Sequence, residues 1–485
     1  MTNPTAVVIF GATGDLFRKK LAPALYKLFA KGQTPEVFRV AAFSRRPWGD
    51  DQFRQFLSDT LLEKSPNLPS ETLKKFLEHF LYIEGDLGSS DSYQKVAEVL
   101  GRLDAEAGVC MNKLFYLATP PVSYEGILDH ISTSGLAIPC APVEVGEGWT
   151  PLEVRPDAAS GRPAFYDGRL TGWTRILIEK PFGSDLKNAE KLDRLLGELF
   201  SETQIFRIDH YLAKETLQHI LKFRFSDGAF EPFWNREHIE KIAIKLFEKE
   251  GINGRGAFYD ALGALRDVGQ NHALQMAALV AMEKPEDFSA AAVRAKRAAI
   301  LKKFKLAKDA ARAQYQGYKT EPGVSPSSTT ETYFKIELGL ATPRWRGVGF
   351  ILESGKGLPQ SYAAIEVYFK KPIEVTISGE RVLAAAVKFK IQPKEEISIM
   401  RHSGNPAEIP FSTYGGAVGE TKNEAYEKVL LDAIKGDQTL FTSTDEVVAE
   451  WKIVMPILAA WRKAAAPLLK YAKGTMPERR IDIEK

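Results

Sequence analysis

Three short stretches concentrate side chains able to do chemistry: EKPFG (179–183), RIDHYLAKE (207–215) and RDVGQNH (266–272). RIDHYLAKE carries five ionisable side chains and a tyrosine. A charge run standing alone is most often a solvated helix face. Here Ile208, Tyr211 and Leu212 interrupt it, so part of the segment is expected to pack inward and hold its polar neighbours in place. These residue types suit binding a phosphorylated sugar and moving a proton. Oxidising a hydroxyl with a nicotinamide requires a base for the O–H proton while hydride leaves carbon, and histidine does this near neutral pH. His210 and His272 are the candidate bases, because Asp209, Lys214 and Asp267 surround them and a carboxylate can orient an imidazole and stabilise its charged form. Spacing does not decide which carboxylate does so. The other five histidines, His79, His130, His219, His238 and His402, are expected to be satisfied structural residues.

A second kind of chemistry is suggested by GATGDLFRKKLAP, which follows the apolar run AVVIF. A strand ending in closely spaced glycines lets the backbone approach a pyrophosphate and donate N–H bonds, and Gly11 and Gly14 would make that turn. The spacing is G-x-x-G with Phe17 where a third glycine might stand, so a plain strand-to-helix turn is the alternative. Arg18, Lys19 and Lys20 supply cations near any bound phosphate, and Pro23 should start or break the helix. Where an NAD site commonly places a carboxylate, at the end of the second strand, the sequence has Ser44, Arg45 and Arg46. Guanidinium groups there favour a 2′-phosphate, hence NADP, with NAD the weaker alternative.

The elements that must position these residues fall into two patterns. Strand-like apolar runs at 6–10, 37–43, 114–118 and 175–179, separated by helix-like stretches, predict an α/β Rossmann-like doubly wound domain over 1–205. After about residue 205 strands alternate: Ile242, Ile244 and Leu246 face one way and Lys241 and Lys245 the other, with similar patterns at 333–338 and 387–391. That predicts an α+β domain with a large, mainly antiparallel sheet over 206–485, accompanied by helices at 286–313, 423–435 and 445–470. The Pro-, Gly- and acid-rich stretch 139–168 reads as an extended surface loop.

Composition narrows the field further. The chain has 485 residues, 44% hydrophobic and 26% charged, the profile of a folded protein of two or more domains. A net charge of +3 gives no global electrostatic case for nucleic acid or an anionic membrane. Cys110 and Cys140 are too few for a disulfide framework and lack zinc spacing, which points to a reducing compartment, the cytoplasm by default. No signal-like start or membrane-length apolar run is present.

Taken together, these segments resemble the glucose-6-phosphate dehydrogenase family. GATGDLFRKKL resembles its nucleotide-binding signature and RIDHYLAKE its active-site signature. EKPFG, GRGAFYDALGALRDVGQNH, VAMEKP, RWRGVGFILESGKGL and LLDAIKGDQTLFTSTDEVVAEW continue the match along nearly the whole chain. The resemblance implies that His272 is the general base and Asp209 its partner. It implies that His210, Tyr211 and Lys214 hold the sugar phosphate, that Glu248 and Asp267 take hydroxyls of the ring, and that Lys356 reaches the substrate. Lys20 and Lys180 would lie between cofactor and substrate, and Gly11, Gly14, Asp15, Arg18, Arg45 and Tyr124 on the cofactor side.

The implied reaction is oxidation of D-glucose 6-phosphate to 6-phospho-D-glucono-1,5-lactone with NADP, without a metal. The resemblance also implies a homodimer, or a dimer of dimers, built through the second domain. Ala213 stands where the signature usually has glycine, and Ser361 where many members carry arginine. The competing readings are a broader-specificity NAD(P) sugar or sugar-phosphate dehydrogenase and a non-catalytic relative that binds NADP or sugar phosphate.

Overall fold

The structure, a computed structural model, describes residues 4–138, 165–166, 169–170, 172–225, 229–308, 310–377, 380–403, 406–409, 424–463 and 467–477. The chain divides into two compact units. The first gathers 1–183, 187–210 and 423–442, and the second 184–186, 211–422 and 443–485. The sequence pattern places the divide at 205/206, whereas 206–210 and 423–442 fall in the first unit.

The first unit is built on a seven-stranded sheet in the order Phe441–Thr442, Ile205–Ile208, Thr174–Ile178, Asn112–Leu117, Thr5–Phe10, Phe38–Ser44, Phe80–Glu84. Every neighbouring pair is parallel except the edge pair formed by Phe441–Thr442. Thr5–Phe10 and Asn112–Leu117 are buried along their whole length, as strands covered on both faces must be. Phe10 packs on Phe43, Tyr93 and Phe115 at 5.2 to 6.4 Å, which fixes the centre of the sheet. All four predicted strands are present. Phe80–Glu84, Ile205–Ile208 and Phe441–Thr442 extend the sheet; the last two, of four and two residues, are too short for periodicity to identify.

Most of the predicted loop 139–168 lies outside the described residues; Phe165–Tyr166 pairs with Arg169–Leu170. Cys110 is disulfide-bonded, so the inference of a reducing compartment from the cysteine count loses its support.

The second unit carries a ten-stranded sheet. Its path runs Ala407–Ile409, Glu396–Arg401, Glu380–Gln392, Tyr362–Ile377, Ile239–Phe247, Gly349–Gly355, Tyr333–Leu340, Ala311–Tyr315, Leu468–Tyr471, with Phe304–Leu306 also on Tyr333–Leu340. Two pairs are parallel, Ile239–Phe247 with Gly349–Gly355 and Ala311–Tyr315 with Leu468–Tyr471; the rest are antiparallel. In Ile239–Phe247 the side chains of Ile242, Ile244 and Leu246 are buried while Lys241 and Lys245 are only half-buried, as the alternation predicts.

Two helix expectations need correction. The helix expected at 286–313 is Ala290–Leu301, capped by the Ser289 hydroxyl, and is followed by the strands Phe304–Leu306 and Ala311–Tyr315. The helix expected at 445–470 is Thr444–Arg462, followed by the strand Leu468–Tyr471. In both cases pairing with a growing sheet overrides local helical periodicity. Ala425–Lys435 is helical, as expected.

Candidate functional site

The glycine turn forms because Thr5–Phe10 ends where the backbone must reverse. Gly11 has φ +87°, and a Cβ on it would stand 2.7 Å from the Ala118 carbonyl oxygen, so only glycine fits. The N–H groups of Gly11 and Ala12 both donate to the Phe43 carbonyl, and Gly14 N–H donates to the Gly11 carbonyl. Thr13 and Ser44 are joined hydroxyl to hydroxyl at 2.6 Å, tying this turn to the end of the next strand. Phe17 is fully buried against Phe53, so the missing third glycine is replaced by core packing. The segment Phe17–Leu21 is a π-helical stretch that runs without a break into Ala22–Ala30, so Pro23, expected to start or break the helix, instead lies inside a continuous helical run just after the widened turn.

The cations around this turn have different fates. Arg18 reaches Glu63 at 3.4 Å, and Lys19 pairs with Asp15 at 2.9 Å, holding the exposed Asp15 carboxyl below its ordinary range. Arg46 stacks over Trp48 at 4.7 Å. Arg45 and Lys20 are exposed, and Arg45 has no ion pair or hydrogen bond among the described residues.

EKPFG leaves the C-terminal end of Thr174–Ile178. Tyr116 donates to the Glu179 carboxylate at 2.6 Å, Tyr426 hydrogen-bonds to it as well, and Tyr124 donates to the Glu179 carbonyl at 3.1 Å. Burial pushes the Glu179 carboxyl up, partly offset by the two phenol donors. Tyr124, expected at the cofactor, is therefore buried and committed to the backbone one residue before Lys180. Arg207, the first residue of RIDHYLAKE, is buried between Asp193 and Glu202 at 2.6 and 2.9 Å, a structural role. Asp209 and His210 complete the first unit just before Tyr211 begins the second.

In the second unit His272 sits near the end of Leu265–Ala273, a π-helical segment. Widened turns of this kind are frequent at functional sites. The segment is launched by a break at Gly263 (φ 76°, ψ 167°) and pinned by Glu331, whose carbonyl accepts from Ala264 N–H and whose carboxylate accepts from Leu265 N–H, both at 3.0 Å. His272 is 1% exposed, its backbone N–H donates to the Asn271 side-chain oxygen at 2.7 Å, and its ring lies 4.4 Å from that of Tyr211.

Lys356, 3% exposed, donates to both Glu248 carboxylate oxygens at 2.7 Å and lies 3.6 Å from Asp267. Lys214 lies 3.9 Å from Glu395, which also accepts from Thr216 N–H at 2.8 Å.

Within the second unit the structure thus brings together Tyr211 with His272, and Lys356 with Glu248 and Asp267. Sequence reasoning missed Glu331, Glu395 and Tyr426, and no local signal marks them. Each is far along the chain from the residue that it holds. A buried cation beside two carboxylates can exchange protein partners for the hydroxyls of a polyol, and an imidazole beside a phenol can accept a proton.

Two family models match the chain in series: the glucose-6-phosphate dehydrogenase NAD binding domain over residues 8–219, and the glucose-6-phosphate dehydrogenase C-terminal domain over 221–482. Glucose-6-phosphate 1-dehydrogenase 2 of Mycobacterium bovis is 35% identical, covering 100% of this chain and 93% of that protein. Glucose-6-phosphate 1-dehydrogenase of Chlamydia muridarum is 34% identical, covering 98% and 93%. Among solved structures, a glucose-6-phosphate dehydrogenase in complex with its substrate glucose-6-phosphate superposes with a TM-score of 0.82 at 27% identity, covering 99% of this chain and 96% of that one. A levoglucosan dehydrogenase with NADH and levoglucosan, at 11% identity and a TM-score of 0.51, shares the fold alone.

Proposed function

The chain belongs to the glucose-6-phosphate dehydrogenase family of oxidoreductases, and on that premise we propose that it oxidises D-glucose 6-phosphate to 6-phospho-D-glucono-1,5-lactone with NADP, the first oxidative step of the pentose phosphate pathway. The observation that carries the reading is the Lys356–Glu248–Asp267 cluster in the same unit as a buried His272 on a π-helical segment. Those groups can hold the hydroxyls of a sugar and accept a proton.

NADP, when bound, supplies the hydride acceptor. Gly11 and Gly14 would let the backbone of the turn come close to its pyrophosphate, and Arg45, exposed and without an ion pair among the described residues, would meet its 2′-phosphate. Asp15, Arg18, Lys20, Tyr124 and Lys180 complete the proposed cofactor side. For Tyr124 that role would be indirect, through the Glu179 carbonyl next to Lys180. His210, Tyr211 and Lys214 would hold the phosphate of the sugar, with Lys180 beside it, while Glu248, Asp267 and Lys356 orient the ring.

His272 takes the proton from the C1 hydroxyl as hydride leaves C1. Asp209 orients the imidazole and stabilises its charged form. The ring oxygen of the closed sugar stabilises positive charge developing at C1. Orientation and proton removal together account for much of the acceleration.

A homodimer built through the second domain and a cytoplasmic location are part of the proposal. Counting free thiols under native conditions tests the second against the bonded Cys110. Among the described residues no helix is long and apolar enough to cross a membrane.

The deciding experiment follows reduced nicotinamide by absorbance with glucose 6-phosphate and either NADP or NAD. Turnover with NADP that falls roughly 10²- to 10⁴-fold in His272→Asn, with substrate binding kept, is the expected result. Unchanged turnover in that variant removes His272 as the base, and no turnover by the folded wild-type protein removes the substrate assignment.

A further inference from the structure

Tyr259 lies on the helix Gly256–Ala264, just ahead of the segment that carries Asp267 and His272, and is 2% exposed. Its ring belongs to an aromatic core with Phe247, Tyr315, Tyr318, Tyr333 and Tyr471. The Lys356 ammonium stands 5.2 Å from its centroid, so the ring forms one wall of the Lys356–Glu248–Asp267 cluster.

Its hydroxyl differs from those around it. Tyr315 donates to Glu321, Tyr318 to Asp260, Tyr333 to Glu353 and Tyr471 to the Lys356 carbonyl. The Tyr259 hydroxyl is buried and has no hydrogen-bond partner among the described residues. Burying such a group without a partner costs free energy that phenylalanine, filling the same space, would avoid. Burial first, then the charges of Asp267, Glu331 and Glu248, hold this phenol well above its ordinary range, so it stays an O–H donor at any working pH.

We propose that Tyr259 is a further substrate-binding residue, its ring seating Lys356 and its O–H donating to an oxygen of the sugar ring or of a ring hydroxyl. The inference rests on the function proposed above and deepens it. Each sugar hydroxyl offers one donor and two acceptor lone pairs. Glu248 and Asp267 can only accept, so the sugar oxygens need donors, and Tyr259 adds a neutral one beside Lys356.

The test compares wild type with Tyr259→Phe in steady-state kinetics and thermal unfolding. Losing one such bond should raise KM for glucose 6-phosphate about three- to tenfold, with kcat within about twofold and KM for NADP unchanged. The melting temperature should stay level or rise, because an unpaired buried hydroxyl has been removed. That opposite movement of affinity and stability is not expected of a merely structural tyrosine. Normal wild-type turnover with an unchanged sugar-phosphate KM in the variant overturns this inference alone, the more so if the melting temperature falls. Absence of turnover in the wild type removes the parent reading and this inference with it.

Discussion

Lys356 and Glu248 form a two-pronged ion pair in which the ammonium is 2.7 Å from both carboxylate oxygens, although the Lys356 side chain is 3% exposed and that of Glu248 is 42% exposed. The buried partner cannot leave, whereas the exposed one can swing. A sugar hydroxyl arriving between them would meet a fixed donor and a movable acceptor.

Glu248→Gln tests that asymmetry. It leaves the Lys356 ammonium with a neutral amide and with Asp267 at 3.6 Å, and should destabilise the second unit by about 1–3 kcal/mol. KM for glucose 6-phosphate should rise roughly tenfold through the lost charge-assisted bond. Thermal unfolding and initial-rate kinetics read the two effects separately, and an unchanged KM would remove Glu248 from the sugar site.

Arg45 should decide between the two dinucleotides. Arg45→Ala should raise KM for NADP roughly tenfold or more and leave KM for NAD within about twofold, because only the former carries the phosphate that a guanidinium would meet. Equal effects on both cofactors would show that Arg45 acts on the fold of the turn.

Gly11→Ala confronts φ +87° and a carbonyl oxygen 2.7 Å from the new methyl group. The expected cost is about 1–3 kcal/mol of stability. Cofactor affinity, read by fluorescence titration of the reduced nicotinamide, should fall together with the melting temperature. A variant with normal values of both would mean that the turn relaxes freely.

Glu366 makes the pH prediction. Burial alone would raise its carboxyl, but hydrogen bonds from Lys245, Tyr362 and Tyr368 and the charge of Lys245 bring it down to about 2, from an ordinary 4.5. A depressed carboxylate contributes stability above its unfolded value that is lost as pH falls through the folded one. Up to about 3 kcal/mol should therefore disappear between pH ~4.5 and ~2. Glu366→Gln should be less stable than wild type at neutral pH, and the gap between the two proteins should close across that window. Denaturant melts at several pH values measure the gap, and a constant difference would contradict the assignment.

How far the sequence carried is clearest at particular residues. AVVIF ends at Gly11 in a parallel strand because an unbroken β-branched run has only buried surroundings open to it, and the Lys241 to Leu246 alternation was legible for the converse reason. The cluster residues Glu248, Asp267 and Lys356 came from the resemblance. Their mutual distances are products of the sheet, where Gly349–Gly355 lies parallel to Ile239–Phe247 and so delivers Lys356 beside Glu248. Glu395 stands 179 residues from the Thr216 N–H it accepts from, and Glu331 stands 66 from Leu265; no window of periodicity spans such gaps. Ala311–Tyr315 reads as helix locally and becomes strand where Tyr333–Leu340 and Leu468–Tyr471 pair with its two edges.

The first unit closes late. Its edge strand, Phe441–Thr442, pairs with Ile205–Ile208, and the carbonyls of Ala433 and Ile434 receive the Arg175 guanidinium at 2.7 and 2.8 Å. On a ribosome the strands from Thr5 to Ile208 emerge long before those partners, and a shortened chain ending near residue 210 would never meet them. Ile205–Ile208 would then wait as an open, apolar sheet edge next to an Arg175 stripped of its acceptors, the state in which strands pair with the wrong molecule. A nucleotide-binding domain made alone should accordingly need residues 424–442 grafted back to stay in solution, and the nascent chain should be most vulnerable to aggregation until those last residues are made.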